Sequence, residues 1–105
     1  MKNSNFSIEI SDFSNKDIKE SFEYYEKQQT GLGKRFIGEI KQSIDKLKNN
    51  PFLYQKANEV LRRLVVDFFP FKIYYRILEN DKIVKIEAIL HDSRSEETLE
   101  IRTNL

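Results

Sequence analysis

The segment LRRLVVDFFPFKIYYRILENDKIVKIEAILHDSR, residues 61–94, constrains the fold of this chain more than any other part of it. Apolar and polar side chains alternate through it, with breaks at Phe68-Phe69 and Asn80-Asp81, so it reads as three antiparallel strands joined by short turns. Asn80-Asp81 suits the left-handed dihedrals of a two-residue type I′ turn. With those two residues as the loop, opposed positions sum to 161. Ile77 then faces Val84, Tyr75 faces Ile86, Ile73 faces Ala88 and Phe71 faces Leu90, four apolar pairs on one side. The other side takes Lys72, Tyr74, Arg76, Lys85, Glu87 and Ile89. A slip of one residue would mix the two sets, which is why the register is well specified. With Phe68-Phe69 as the first turn, opposed positions sum to 137. Leu64 then faces Ile73, Val66 faces Phe71, Arg63 lies beside Tyr74 and Val65 beside Lys72. Pro70 falls near a strand start, where its missing N–H is tolerated.

Upstream, Phe6, Ile8 and Ile10 alternate with Ser7, Glu9 and Ser11, a short half-buried strand. Ser14 reads as a helix N-cap, with Asp17 in the capping-box position. Ile18, Phe22 and Tyr25 share one face of the helix that follows, which runs to about Gln29. TGLG at 30–33 breaks it, with Thr30 placed to cap a second helix. That helix carries the stripe Phe36, Ile37, Ile40, Ile44 and Leu47 and stops at Asn49-Asn50-Pro51. The expected architecture is α+β: one strand, an antiparallel helical hairpin, then a three-stranded antiparallel meander, in a single domain spanning 1–105. Phe36, Ile40, Ile73, Tyr75 and Ile86 are expected at the core.

Composition narrows the function classes. Net charge is +1, so bulk electrostatics does not point to nucleic acid. There is no cysteine and one histidine, which excludes a disulfide scaffold and a thiol nucleophile and argues against structural zinc. No cofactor or metal is expected. The first residues lack a signal-peptide apolar run, and no segment is long and apolar enough to span a membrane. A cytoplasmic protein is the expectation.

The outer face of the meander is the candidate site. Arg63, Lys72, Arg76 and Lys85 surround Tyr74, with Glu87 among them, a combination able to grip phosphates and stack a base. The alternative is a solvated face with cross-strand ion pairs such as Arg63 with Glu87. Val65, Leu78 and Ile89 add apolar positions that a partner would cover. His91, near Asp92 and Arg94, could move a proton near neutral pH or could simply lock the strand end. Ser93 and Ser95 form no catalytic triad with it, because no glycine elbow flanks either.

The strand FSIEIS, the helix KDIKESFEYYEKQQTGLGKRF, NNP, LRRL, FPFKIYYRI and ILHDSR, in that order over residues 6–94, resemble the RelE/ParE family of type II toxin–antitoxin toxins. The resemblance implies a growth-inhibiting bacterial toxin neutralised by a cognate antitoxin. Its RelE-like branch cleaves mRNA on the ribosome; its ParE-like branch poisons DNA gyrase. Carried over by position, Lys72 falls on a strand-three arginine of the nucleases, and Arg63 on a strand-two lysine. His91 falls on the histidine of the YoeB-like branch. Val65 stands where a second lysine is expected and Asp92 where an arginine is, and the expected C-terminal tyrosine falls near Thr98. The RelE-type catalytic set is therefore incomplete. The resemblance favours a toxin that binds and inhibits its target, DNA gyrase in the ParE manner. The alternatives are a metal-independent, ribosome-dependent mRNA endonuclease using Lys72, His91 and Arg63, and a non-toxic member that keeps only partner binding. The partner surface is expected at Arg63, Val65, Lys72, Tyr74, Arg76, Lys85, Glu87, Ile89 and Arg94. Under the endonuclease alternative, loss of Lys72 or His91 is expected to abolish cleavage, while loss of Arg102 is expected to change it little.

Overall fold

The computed structural model describes residues 6–94 and 96–103. The elements are β1 (Ser7–Ile10), α1 (Asp12–Gln28), α2 (Leu32–Asn49), β2 (Arg62–Val65), β3 (Phe71–Leu78), β4 (Ile83–His91) and α3 (Glu96–Thr103). The strands form one sheet in the order β1-β4-β3-β2, with β1 parallel to β4 and the other pairs antiparallel. The expected α+β order is present, and α3 is an addition to it.

The helical hairpin packs on one face of the sheet because its two stripes and the inward side of the meander are the large apolar surfaces of the chain. Phe36, Ile40 and Leu47 of α2 meet Ile73, Tyr75, Val84, Ile86 and Ile89, all at most 2% exposed. All five residues expected at the core are buried. Phe36 is also the hub of an aromatic cluster with Tyr25, Phe69 and Phe71, at centroid separations of 4.9 to 5.5 Å. Tyr75 brings a hydroxyl into this interior and donates it to the Pro51 carbonyl at 2.7 Å, so the polar atom is satisfied. Burial pushes its pKa well above the ordinary tyrosine value.

Both helix starts differ from expectation. Ser11, one turn before Ser14, caps α1 by accepting the Ser14 N–H at 3.1 Å. Ser14 and Asp17 are buried against the sheet instead. Thr30 does not cap α2; its N-cap is Gly31, at φ 93°, which makes no side-chain cap bond. The Glu26 carboxylate of α1 does that work, accepting the Gly31 and Gly33 N–H groups at 2.9 Å each. These bonds, Gly31 first, hold its pKa below the ordinary glutamate value. Gly33 allows the close crossing, since a Cβ there would lie 2.7 Å from the Phe22 carbonyl oxygen.

The meander keeps the 137 sum between β2 and β3, with Leu64 opposite Ile73 and Arg63 opposite Tyr74. Between β3 and β4 the 161 sum holds only from Tyr75–Ile86 to Leu78–Ile83. A bulge at Glu87 then shifts the pairing by one, placing Ile73 opposite Ile89, Tyr74 opposite Ala88 and Phe71 opposite His91. Ile89 therefore enters the main core, and Ala88 and Leu90 turn to the outer face, the reverse of the expected assignment. Ala88-Ile89-Leu90 is a continuous apolar run, and such a run has no alternation from which a face can be read. The loop also differs: Asn80 and Asp81 keep negative φ. The Lys82 N–H bonds the Glu79 carbonyl at 3.2 Å, and Lys82 alone of the four loop residues is left-handed, at φ 56°. That is a four-residue loop with the hairpin register of a two-residue one.

Replacing Ile73 by alanine should cost about 2–5 kcal/mol, read as a lower midpoint in urea unfolding, because the site is closed on all sides. Glu26→Gln should lower the melting temperature at neutral pH. A carboxylate whose folded pKa is depressed stabilises above its unfolded value and loses that contribution as pH falls through the folded one. The gap between wild type and Glu26→Gln should therefore close below about pH 4.

Candidate partner-binding site

The outer face of the sheet is half closed by the chain itself. Leu61, Tyr74, Ala88, Leu90 and Leu99 form a second buried cluster, with Ala57 against it. Leu99 comes from α3 and Leu61 from the loop before β2. That loop is fastened by the Asn58 carboxamide, whose oxygen accepts the Val60 and Leu61 N–H groups at 2.8 Å. Tyr74, expected as an exposed stacking platform, is 7% exposed and serves as the centre of this cluster. Ile89, expected on this face as a partner contact, is 1% exposed on the opposite one.

Around the cluster the charges are arranged by the register. Arg76 and Lys85 are direct cross-strand neighbours, a repulsive pairing on its own. The bulged Glu87 relieves it, its carboxylate accepting Arg76 Nε at 2.7 Å. The pair sequence reading anticipated for Glu87 was Arg63, one row away. Lys72 lies 3.4 Å from Asp92. Arg63 and Lys85 make no ion pair among the described residues, and Val65, 63% exposed, lies between Arg63 and the turn. Arg94 is exposed beyond the strand end.

His91 does not join this group. Its position opposite Phe71 turns it to the helical side of the sheet, where its ring meets Phe71 edge-on at 5.3 Å. The backbone N–H of Ser93 donates to Nδ1 at 3.0 Å, and the Ser93 hydroxyl lies 2.8 Å from the same nitrogen. The Ser93 N–H thereby engages the lone pair of Nδ1. His91 lines a groove of about 430 Å³ between α1 and the end of β4, with Glu20, Tyr24 and Arg94 on its walls. Lys72 and Arg63 are on the other side of the sheet, so the three residues considered for cleavage are not convergent. No group of three or more histidine, cysteine or carboxylate side chains suited to a metal occurs among the described residues. Nor is any described helix long and apolar enough to cross a membrane.

Sequence reading missed the ion pair that ties the two faces together. Asp17 of α1, 7% exposed, accepts the Ile89 N–H at 2.9 Å and both ends of the Arg102 guanidinium, at 2.7 and 2.9 Å. Asp17 looked like a capping residue and Arg102 a surface one. The available signal was an acid six residues past Ser11, too deep in the helix to belong to its first turn.

A family description, the ParE toxin of type II toxin–antitoxin system, parDE, matches residues 8–96, and the chain belongs to that family. It is a toxin of the type II toxin–antitoxin class. Among solved structures, the chromosomal ParDE system from P. aeruginosa contains a similar chain, with a TM-score of 0.73 at 16% identity over 85% of this chain and 98% of that one. At that identity the likeness is one of fold. No curated protein matches the sequence.

Asp17→Ala should cost about 1–3 kcal/mol, since it leaves the buried Ile89 N–H without its acceptor; equilibrium urea unfolding measures it.

Proposed function

We propose that this toxin acts by binding and inhibiting a large cellular target, DNA gyrase first among candidates, and that a cognate antitoxin neutralises it. Family membership supports the toxin class. The observation that carries the binding-inhibitor reading is the separation of His91 from Lys72 and Arg63 by the thickness of the sheet. General acid–base cleavage of RNA needs a proton-transfer group and phosphate-stabilising cations around one phosphate. Here the histidine base nitrogen is bonded to Ser93, Lys72 is beside Asp92, and the aromatic ring is under α3. What the outer face offers is a set of cations that make no ion pair among the described residues: Arg63 beside exposed Val65, and Lys85 on β4 opposite Glu9, with Arg94 at the strand end. Such a set suits a protein partner carrying acidic side chains between apolar anchors.

Purified protein added to a gyrase supercoiling reaction should inhibit it in a dose-dependent way, while mRNA on translating ribosomes stays intact. Arg63→Glu with Lys85→Glu should weaken antitoxin binding by at least about tenfold, mostly through slower association at low salt. Specific mRNA cleavage that His91→Ala abolishes, with supercoiling untouched, would replace this reading with the ribonuclease one.

A further inference from the structure

We propose that α3 is a latch over the outer face of the sheet, locked by the Asp17–Arg102 ion pair, and that its release uncovers Tyr74 and Leu90 between Arg63 and Lys72. The inference concerns the chain itself and stands whatever the target is.

The two ends of the lock are anchored unequally. Asp17 sits on the buried side of α1, and its second bond to the Ile89 N–H holds it there without α3. Arg102 lies in the last turn of a short helix and reaches Asp17 around the free edge of β4. The guanidinium also rests 4.9 Å from the Phe13 ring, which is 44% exposed. The bidentate geometry makes the closed position specific. The pair nevertheless contributes little net stability, because both charges recover hydration when the helix swings out. An ion pair of this kind defines where α3 sits more than how firmly it stays.

The packing divides in the same place. Among the described residues, the main core draws none from α3, whereas the outer cluster is closed over Tyr74, Ala88 and Leu90 by Leu99. Opening α3 therefore leaves the principal interior intact and converts a buried aromatic into an exposed one. Because Arg63 is paired with Tyr74 in the ladder and Lys72 with Leu90, the uncovered strip is flanked by cations. Local opening below the global unfolding free energy is common for terminal elements with few buried contacts.

Hydrogen exchange on the full chain, read by mass spectrometry, tests the latch with no partner present. In Arg102→Ala, amides of residues 98–103 should exchange faster by about tenfold or more, while those of Ile73 and Tyr75 keep wild-type protection. Nitration of Tyr74 by tetranitromethane should accelerate in parallel. Arg102→Lys should fall between, since an ammonium cannot make the two-pronged bond. Unchanged exchange in α3 would overturn the lock. Parallel loss of protection in α3 and β3 would make α3 part of the global fold, and slow nitration with a fast-exchanging α3 would overturn the uncovering. Each of these results leaves the supercoiling assay free to succeed or fail by itself.

Discussion

The free edge of β4 beyond Ile86 is the constraint on which the rest of the structure depends. β1 pairs with β4 only from Ile83 to Ile86, and the chain then leaves the sheet to form α1. An uncovered edge presents unpaired N–H and C=O groups, an expensive arrangement inside a fold. The first turns of α1 supply the missing partners. The Ser11 N–H and the Ser14 hydroxyl both donate to the Ile86 carbonyl, at 3.0 and 3.2 Å. The Ser11 hydroxyl lies 3.2 Å from the Glu87 carbonyl, and Asp17 takes the Ile89 N–H. A helix thus finishes what a strand began, which accounts for two hydroxyl-bearing residues and a carboxylate at its N-terminal end.

The bulge at Glu87 belongs to the same arrangement. It brings the Ile89 N–H round to Asp17, moves the larger Ile89 into the main core in place of Ala88, and delivers Ala88 and Leu90 to α3. It also aims Glu87 at Arg76. One inserted residue therefore decides what each face contains: a helical-side interior with His91 at its margin, and an outer face whose aromatic centre is covered and whose cations line the rim. A surface of this kind suits the protein contact proposed for it. A nuclease would need its proton-transfer group on the cationic side, and the shifted register puts His91 on the other.

The strand–hairpin–meander order, the core residues of α2 and the β2–β3 register were legible from periodicity, because each involves an element with one wet face; of the helix-one stripe, Ile18 and Tyr25 pack half-buried on the core and Phe22 does not join it. The second half of β4 was not. Ala88-Ile89-Leu90 is apolar throughout, since both of its faces are covered, and alternation carries no information there. α3 escaped notice because its residues EETLEIRT carry little apolar patterning and its anchor is polar. Ser14 and Asp17 fit a capping signature closely enough to hide their tertiary role; Ser11 competed for the cap and won because its hydroxyl reaches the Ser14 N–H. The outer-face placement of Arg63, Lys72, Arg76 and Lys85 followed from alternation, but Tyr74 and Ile89 were assigned to exposure by a register correct only up to the bulge.

The account rests most directly on that shifted register, and proton NMR of the free protein measures it. With the Ile89 N–H directed to Asp17, Ile73 and Ile89 form a non-hydrogen-bonded pair with Cα atoms about 4.5 Å apart. The account predicts a strong cross-strand contact between their α-protons, together with contacts from the Leu99 methyls to the Tyr74 ring. A strong α-proton contact from Ile73 to Ala88 instead, with Ile89 facing solvent, would contradict it.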